Sequence, residues 1–432
     1  MVTYVPMKPL RPRPLLRRSF VLGAATLIFG SLAALADEGI FGPVELRGKE
    51  QNDLIDTANQ YHEQFERRSL LHNEPGALEL VRRIGHSLAP PPTDDYYRYE
   101  FYIIRDPSPN AFALPNGSIY VHTGMLARIH DSSELAALLA HEITHVAGHH
   151  SIVQFRIKAG QVLDWVFTGG IITLFTQLQF SRDLEQEADD RAAPMLLDSP
   201  YDPHAIPNLM EILAEDFEGV QPRIATIWTT HPDPEVRLAR SQALVADMPE
   251  RQRDTAAYDE IAYPLRALTV RDYIKDDYPY TAIALTQSYI ERYPDDMEFR
   301  VLLGDAWQQL GPRSEFAPDD FTNRDKRRNL RKRIRRTRVE RLNELLETPE
   351  GQAANAANLA QARSVYEDVL ARDPAYAAAY RGLGEVFEAQ NEPREAAKAY
   401  LEYVRRAPDA QDRPVIIGRL TAIRDRLVQE EN

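Results

Sequence analysis

The chain has 432 residues, room for two or three domains, and is 44% hydrophobic, enough for ordinary buried cores. It contains no cysteine, which excludes a disulfide framework, a thiolate metal site, a cysteine nucleophile and a lipid-modified N-terminal cysteine. A net charge of −14 argues against nonspecific binding of nucleic acid.

Residues 1–36 read as a signal peptide. Lys8, Arg11, Arg13, Arg17 and Arg18 form a basic start without acidic residues. The apolar run Phe20 to Leu35 follows, and Ala34-Leu35-Ala36 makes a small-residue cleavage site before Asp37. Export into the periplasm is therefore expected, with cleavage after Ala36. Arg17-Arg18-Ser19-Phe20-Val21-Leu22 is similar to a twin-arginine signal, and either that route or the general secretory one fits.

A helical stretch is expected over 43–90, ending at Pro90-Pro91-Pro92. Tyr97 to Ile104, aromatic and β-branched, reads as a strand. Ser118 to His122, after the turn signal Pro115-Asn116-Gly117, reads as a second strand at a sheet edge, where it can pair with an extended peptide. Asp131-Ser132-Ser133-Glu134 has the form of a capping box and opens a helix through LAALLAHEITHVAGHH. Val162 to Phe180 is apolar and reads as a core helix or a lid, with contact at a membrane surface as the alternative. A further helix is expected from about Ser181.

His141-Glu142-Ile143-Thr144-His145 places two imidazoles four residues apart on one helix face. Glu142 lies about 100° around, within reach of a water at the metal, and is the candidate general base. A catalytic zinc takes three N/O ligands and keeps one open position. Ser181-Arg182-Asp183-Leu184-Glu185-Gln186-Glu187-Ala188-Asp189 offers the third. Glu185 and Glu187 point to different sides of their helix, so only one can face the ion. Asp189, one turn beyond Glu185, can receive the N–H of a liganding imidazole. His149 and His150 read as helix-end residues, not ligands.

The C-terminal third repeats at 34 residues: Ala362 and Ala396, Tyr366 and Tyr400, Pro374 and Pro408. Gly384 and Phe387 join them in a tetratricopeptide pattern, while Ala282, Pro294, Gly304 and Trp307 mark an earlier unit. The spacing predicts an insertion at about 312–357. It carries Arg324 to Arg341, in which 11 of 18 residues are Lys or Arg. This basic run reads as a solvated loop, with an acidic partner or anionic lipid head groups as the functional alternative.

HEITH, then SRDLEQEAD, then Thr230-His231-Pro232 resembles the zinc metallopeptidase family that includes HtpX, the CAAX prenyl proteases and the periplasmic BepA type. Asn110-Ala111-Phe112, Pro115-Asn116-Gly117 and Val121 to Leu126 resemble the strand segment before that family's zinc helix. The resemblance covers about 45–245 and implies Glu185 as third ligand of one zinc per chain, beside His141 and His145. It suggests that His231 fills the fourth zinc position in a latent state; donation to a developing oxyanion is the other reading. The expected fold class is α+β: a mostly helical, gluzincin-like peptidase domain with a small sheet (37–250), a linker (251–262) and an α-solenoid of tetratricopeptide-like repeats (263–432). The implied function is an endopeptidase acting on misfolded or stalled envelope proteins, its repeats docking clients or the outer-membrane assembly machinery. A chaperone or scaffold with a vestigial site is the alternative.

Overall fold

Two short sequence signals set the frame around the HEITH helix. In the computed structural model, which describes residues 48–91, 97–150, 181–219, 231, 234–314 and 338–430, Asp131 caps that helix as expected. Its carboxylate accepts from the backbone N–H groups of Ser133 and Glu134 at 2.8 and 3.0 Å, and Glu134 accepts from His130 N–H at 2.7 Å. Upstream, Gly117 adopts φ +88, the left-handed conformation that glycine tolerates, and so closes the turn at Pro115-Asn116-Gly117.

The first half comprises α1 (Gly48–Arg67), α2 (Pro75–Leu88), β1 (Glu100–Ile104), β2 (Ala111–Ala113), β3 (Ser118–His122), α3 (Thr123–Arg128), α4 (Ser132–Ala147), α5 (Arg182–Leu197), α6 (Ala205–Gly219) and α7 (Pro234–Val245). The strands form one sheet in the order β1-β3-β2, with β1 parallel and β2 antiparallel to β3. Ser118 to His122 is therefore the central strand, not an edge. Among the described residues, the sheet edge near the HEITH helix belongs to β2, too short for the alternation pattern to disclose. Phe101, Ile103, Ile119 and Val121 face the core shared with α2 and α4. On the other face, Tyr102 and Phe112 stack on Tyr120 at 5.2 and 5.1 Å, and Phe65 of α1 meets Tyr120 edge-on. Both faces are covered, which is why every residue of β3 is buried.

The second half comprises α8 (Thr255–Lys275), α9 (Pro279–Arg292), α10 (Met297–Leu310), α11 (Arg338–Leu346), α12 (Pro349–Arg372), α13 (Ala377–Ala389), α14 (Pro393–Arg406) and α15 (Arg413–Glu430). The 34-residue pattern has a direct packing cause. Tyr366 and Tyr400 are fully buried, each against a glycine of a facing helix, Gly304 and Gly384 respectively. A Cβ on either glycine would stand 2.4 Å from the ring. Most of the basic run, 324–337, lies outside the described residues, as do the N-terminal 47 and Val162 to Phe180. The last part of the span expected as an insertion is helical, since α12 begins at Pro349 behind its Thr348 cap.

The span 251–262, expected as a linker, is mostly helix. Tyr258, Ala262 and Leu265 of α8 belong to the core of the first half, while Ala267, Val270 and Tyr273 of the same helix belong to the core with α9 and α10. All described residues lie in one compact unit, Gly48–Asn432. Polar contacts reinforce the junction. Arg266, 1% exposed, donates to the backbone oxygens of Ala127 and Ile129 at the end of α3, both at 3.1 Å, and to Asp259 at 2.8 Å. Tyr258 and Tyr289 donate to the carbonyls of Leu126 and Ala127 at 2.9 and 3.0 Å. Arg105, just after β1, makes a two-pronged pair with Asp272 at 2.9 and 2.8 Å.

Removing the Arg266 guanidinium takes the donor from the carbonyl of Ile129 and leaves that of Ala127 with Tyr289, both in the interior. Arg266→Leu should therefore lower unfolding free energy by about 2–4 kcal/mol, read by urea denaturation. An unchanged midpoint would mean that α8 is not anchored on α3.

Candidate metal centre

Helix α4 is buried along its whole HEITH segment, so its polar side chains must find partners inside the protein. His141 and His145, one turn apart, bring their Nε2 atoms to 3.0 Å from each other. Helix α5 runs alongside, held close by the small residues Ala188, Ala192 and Ala193, and presents Glu185 to the same point. Glu185 Oε1 lies 3.5 Å from His145 Nε2, and Oε2 lies 3.6 Å from His141 Nε2. His231 completes the group: its Nδ1 is 3.2 Å from His141 Nε2 and 2.8 Å from Glu185 Oε1. One donor atom from each of the four falls within 4.8 Å of all the others.

These separations fit a metal ion. Zinc bonds of about 2.0–2.1 Å in a tetrahedron put neighbouring donors about 3.3 Å apart. Three imidazole nitrogens and a carboxylate converging at 2.8–3.6 Å are held together most simply by a cation. The set is of N and O donors only, the type that catalytic zinc takes. Burial drives the His145 imidazole well below its ordinary pKa, so it is neutral and able to ligate. Burial alone would raise Glu185, but His231 and Arg237 outweigh it and hold the carboxyl well below its usual range.

Glu142 is fully buried beside this group, and neither carboxylate oxygen has a hydrogen-bond partner among the described residues. Its nearest ionisable neighbour is His231, with Nε2 3.7 Å from Oε1. Burial pushes its pKa up, despite His231 and His141 nearby. A buried carboxylate left uncommitted at a metal position is free to exchange a proton with a water there.

Asp189 lies where the helix spacing placed it: Oδ1 is 3.0 Å from Nδ1 of His141. Burial would raise its pKa, but Arg237 and His141 hold it down to about 2. Glu187 is absent from the converging group and instead sits 2.8 Å from Arg191 and 3.4 Å from His150.

Arg237 of α7 was not singled out by sequence. It donates to both oxygens of Asp189 at 2.8 and 2.7 Å and stands 2.8 Å from Glu185 Oε2. The signal that could have found it is charge balance: Glu142, Glu185 and Asp189 on buried helix faces need a buried cation, and Arg237 lies six residues after His231 on a new helix. Arg237→Met should leave two buried carboxylates uncompensated and cost about 3–5 kcal/mol, measured by denaturation of metal-free protein. A loss seen only in metal-loaded protein would make Arg237 part of metal binding and not of the fold.

Residues 78–245 match the model of Peptidase family M48, and residues 353–411 match that of the tetratricopeptide repeat. Among similar proteins, the mitochondrial metalloendopeptidase OMA1 of Schizosaccharomyces pombe is 28% identical over 204 residues, 45% of this chain and 60% of that protein. The beta-barrel assembly-enhancing protease of Escherichia coli K12 is 28% identical over 200 residues, 41% of each chain. The Arabidopsis thaliana OMA1 is 32% identical over 128 residues, 27% of this chain and 26% of that one. In each case the match spans less than two thirds of the relative. The family match over 78–245 includes the segment that builds the site, and the chain thus carries a peptidase family M48 domain followed by C-terminal tetratricopeptide repeats.

Proposed function

We propose that the protein is a zinc-dependent endopeptidase of the periplasm that cuts misfolded or stalled envelope proteins, with its repeats docking clients or the outer-membrane assembly machinery. The observation that carries this reading is the convergence of His141, His145 and Glu185 beside the uncommitted carboxylate of Glu142. Zinc held there by His141 Nε2, His145 Nε2 and Glu185 would polarise the scissile carbonyl and acidify a water. Glu142 takes the proton of the attacking water and returns it to the leaving amine. An extended substrate can add beside β2, the sheet edge next to α4, through main-chain hydrogen bonds that read little sequence. Unfolded segments are the substrates such an edge accepts.

The periplasmic location rests on the basic and apolar character of residues 1–36. Among the described residues no helix is long and apolar enough to cross a membrane. The envelope role takes its support from the relatives named beta-barrel assembly-enhancing protease. The basic run 324–341 would touch an acidic partner or anionic lipid head groups. The scaffold alternative has no use for a buried, uncommitted Glu142.

His231 is assigned the fourth ligand position in a resting state. Its Nδ1 lies among the donors, 2.8 Å from Glu185 Oε1, where it would exclude the attacking water. An oxyanion donor would instead stand off the metal position.

Glu142→Gln should keep stoichiometric zinc and lose roughly 10²-fold or more in casein cleavage. Glu185→Ala should lose the zinc and Glu187→Ala should keep it at saturating metal, both read by elemental analysis. Near-normal cleavage by the Gln variant would sink the mechanism and favour the scaffold. His231→Ala should raise basal cleavage with zinc retained. A large fall in cleavage would assign His231 to transition-state stabilisation.

A further inference from the structure

Once the Nε2 of His145 faces the metal position, its Nδ1 must find a partner behind the site. That partner is a second histidine, His150. The two Nδ1 atoms are 3.0 Å apart, with the rings edge-to-face at 72°. His150 is 2% exposed, and its Nε2 lies 3.4 Å from Glu187 Oε2. The backbone is shaped to make this contact. Gly148 caps the end of α4, and His149 adopts φ +54, a left-handed conformation unusual for a non-glycine residue. The ring of His150 then passes so close over Gly148 that a Cβ there would stand 2.5 Å from its Nε2.

Two nitrogens at this distance share one proton, and the surroundings select its owner. If His150 Nδ1 donated, a neutral His150 would turn a bare Nε2 toward the Glu187 carboxylate. His145 would then carry its own proton on Nε2, against His141 Nε2 and Glu185. The opposite arrangement satisfies every atom. Glu187 accepts from His150 Nε2–H, His150 Nδ1 accepts from His145 Nδ1–H, and His145 Nε2 keeps its lone pair.

We propose that His150, oriented by Glu187, is the positioning residue that fixes the tautomer and ring angle of His145 for metal binding. The two imidazoles are thus backed differently. Asp189 stands directly behind His141, whereas a His–Glu relay stands behind His145 and ends at a partly exposed carboxylate. The relay gives Glu187 and Gly148 their places, neither of which the ligand set explains. It rests on the reading of His145 as a ligand.

The test titrates full-length, metal-free protein with zinc against a chromophoric chelator, alongside the melting temperature of the metal-free form. His150→Phe keeps the ring volume and removes the acceptor; it should bind zinc about 10–100-fold more weakly, the scale of outer-partner loss at metal sites. His150→Asn, whose Oδ1 replaces Nδ1, should recover most of that affinity. Metal-free melting temperatures should match wild type in both. Wild-type affinity in the Phe variant overturns the proposal. So does an Asn variant as weak as Phe with a matching loss of metal-free stability, which would make the role one of packing. Should Phe prevent folding, Gly148→Ala displaces the ring without removing it: weaker zinc binding supports the relay, and unchanged binding overturns it. A wild-type chain that takes up no zinc overturns the metal site itself, a result distinct from either.

Discussion

The charge balance around Arg237 is the constraint on which the rest of this structure depends. Glu142, Glu185, Asp189 and two histidines of one motif are all buried, and each ion taken out of water costs several kcal/mol unless it is paired. Arg237 meets that cost with one planar group, two prongs on Asp189 and a third N–H toward Glu185. With those carboxylates fixed, His141 and His145 have only one direction in which to turn their Nε2 atoms. Helices α4, α5 and α7 are therefore held together by electrostatics at the site and by small apolar residues around it. Loosening either should disturb the other.

How much of this was legible depended on whether the signal was local. His141, Glu142 and His145 lie within one helix and their relation follows from its pitch, so spacing alone placed them on adjoining faces. Glu185 and Asp189 share a helix face for the same reason, and they do converge on His141. Arg237 lay beyond that reach, because it meets its partners across 48 residues of chain and leaves no periodic trace. The sheet was half legible. The strands β1 and β3 had aromatic and β-branched runs, but Ala111-Phe112-Ala113 is too short to show alternation. Pairing order follows from the path of the chain in space, so local patterning reads the central strand as an edge. The first turns of α8, within 251–262, read as a linker from sequence because the helix has no single apolar stripe. It buries Tyr258, Ala262 and Leu265 in one core and Ala267, Val270 and Tyr273 in another.

The repeats and the peptidase domain meet where backbone carbonyls are most in need of donors. The end of α3 leaves the oxygens of Leu126, Ala127 and Ile129 facing inward, and Tyr258, Arg266 and Tyr289 supply the hydrogens. Arg105 and Asp272 join α8 to the segment that leaves β1. That segment continues into β2, the strand beside α4. A displacement of α8 would reach the β2 edge of the sheet through these hydrogen-bonded links.

A helix that belongs to two cores also sets a rule for modular exchange. Splicing a foreign repeat array at 251–262 would cut away the residues that fill the peptidase core, leaving Ala127 and Ile129 without their guanidinium. The next break in the chain lies one helix later, at Asp276-Asp277-Tyr278, where Asp277 takes a left-handed turn before α9 begins. Chimaeras that keep α8 with the peptidase retain its first core and the Arg266 contacts, but the foreign array must still cover Ala267, Val270 and Tyr273 and replace the Tyr289 hydrogen bond to Ala127.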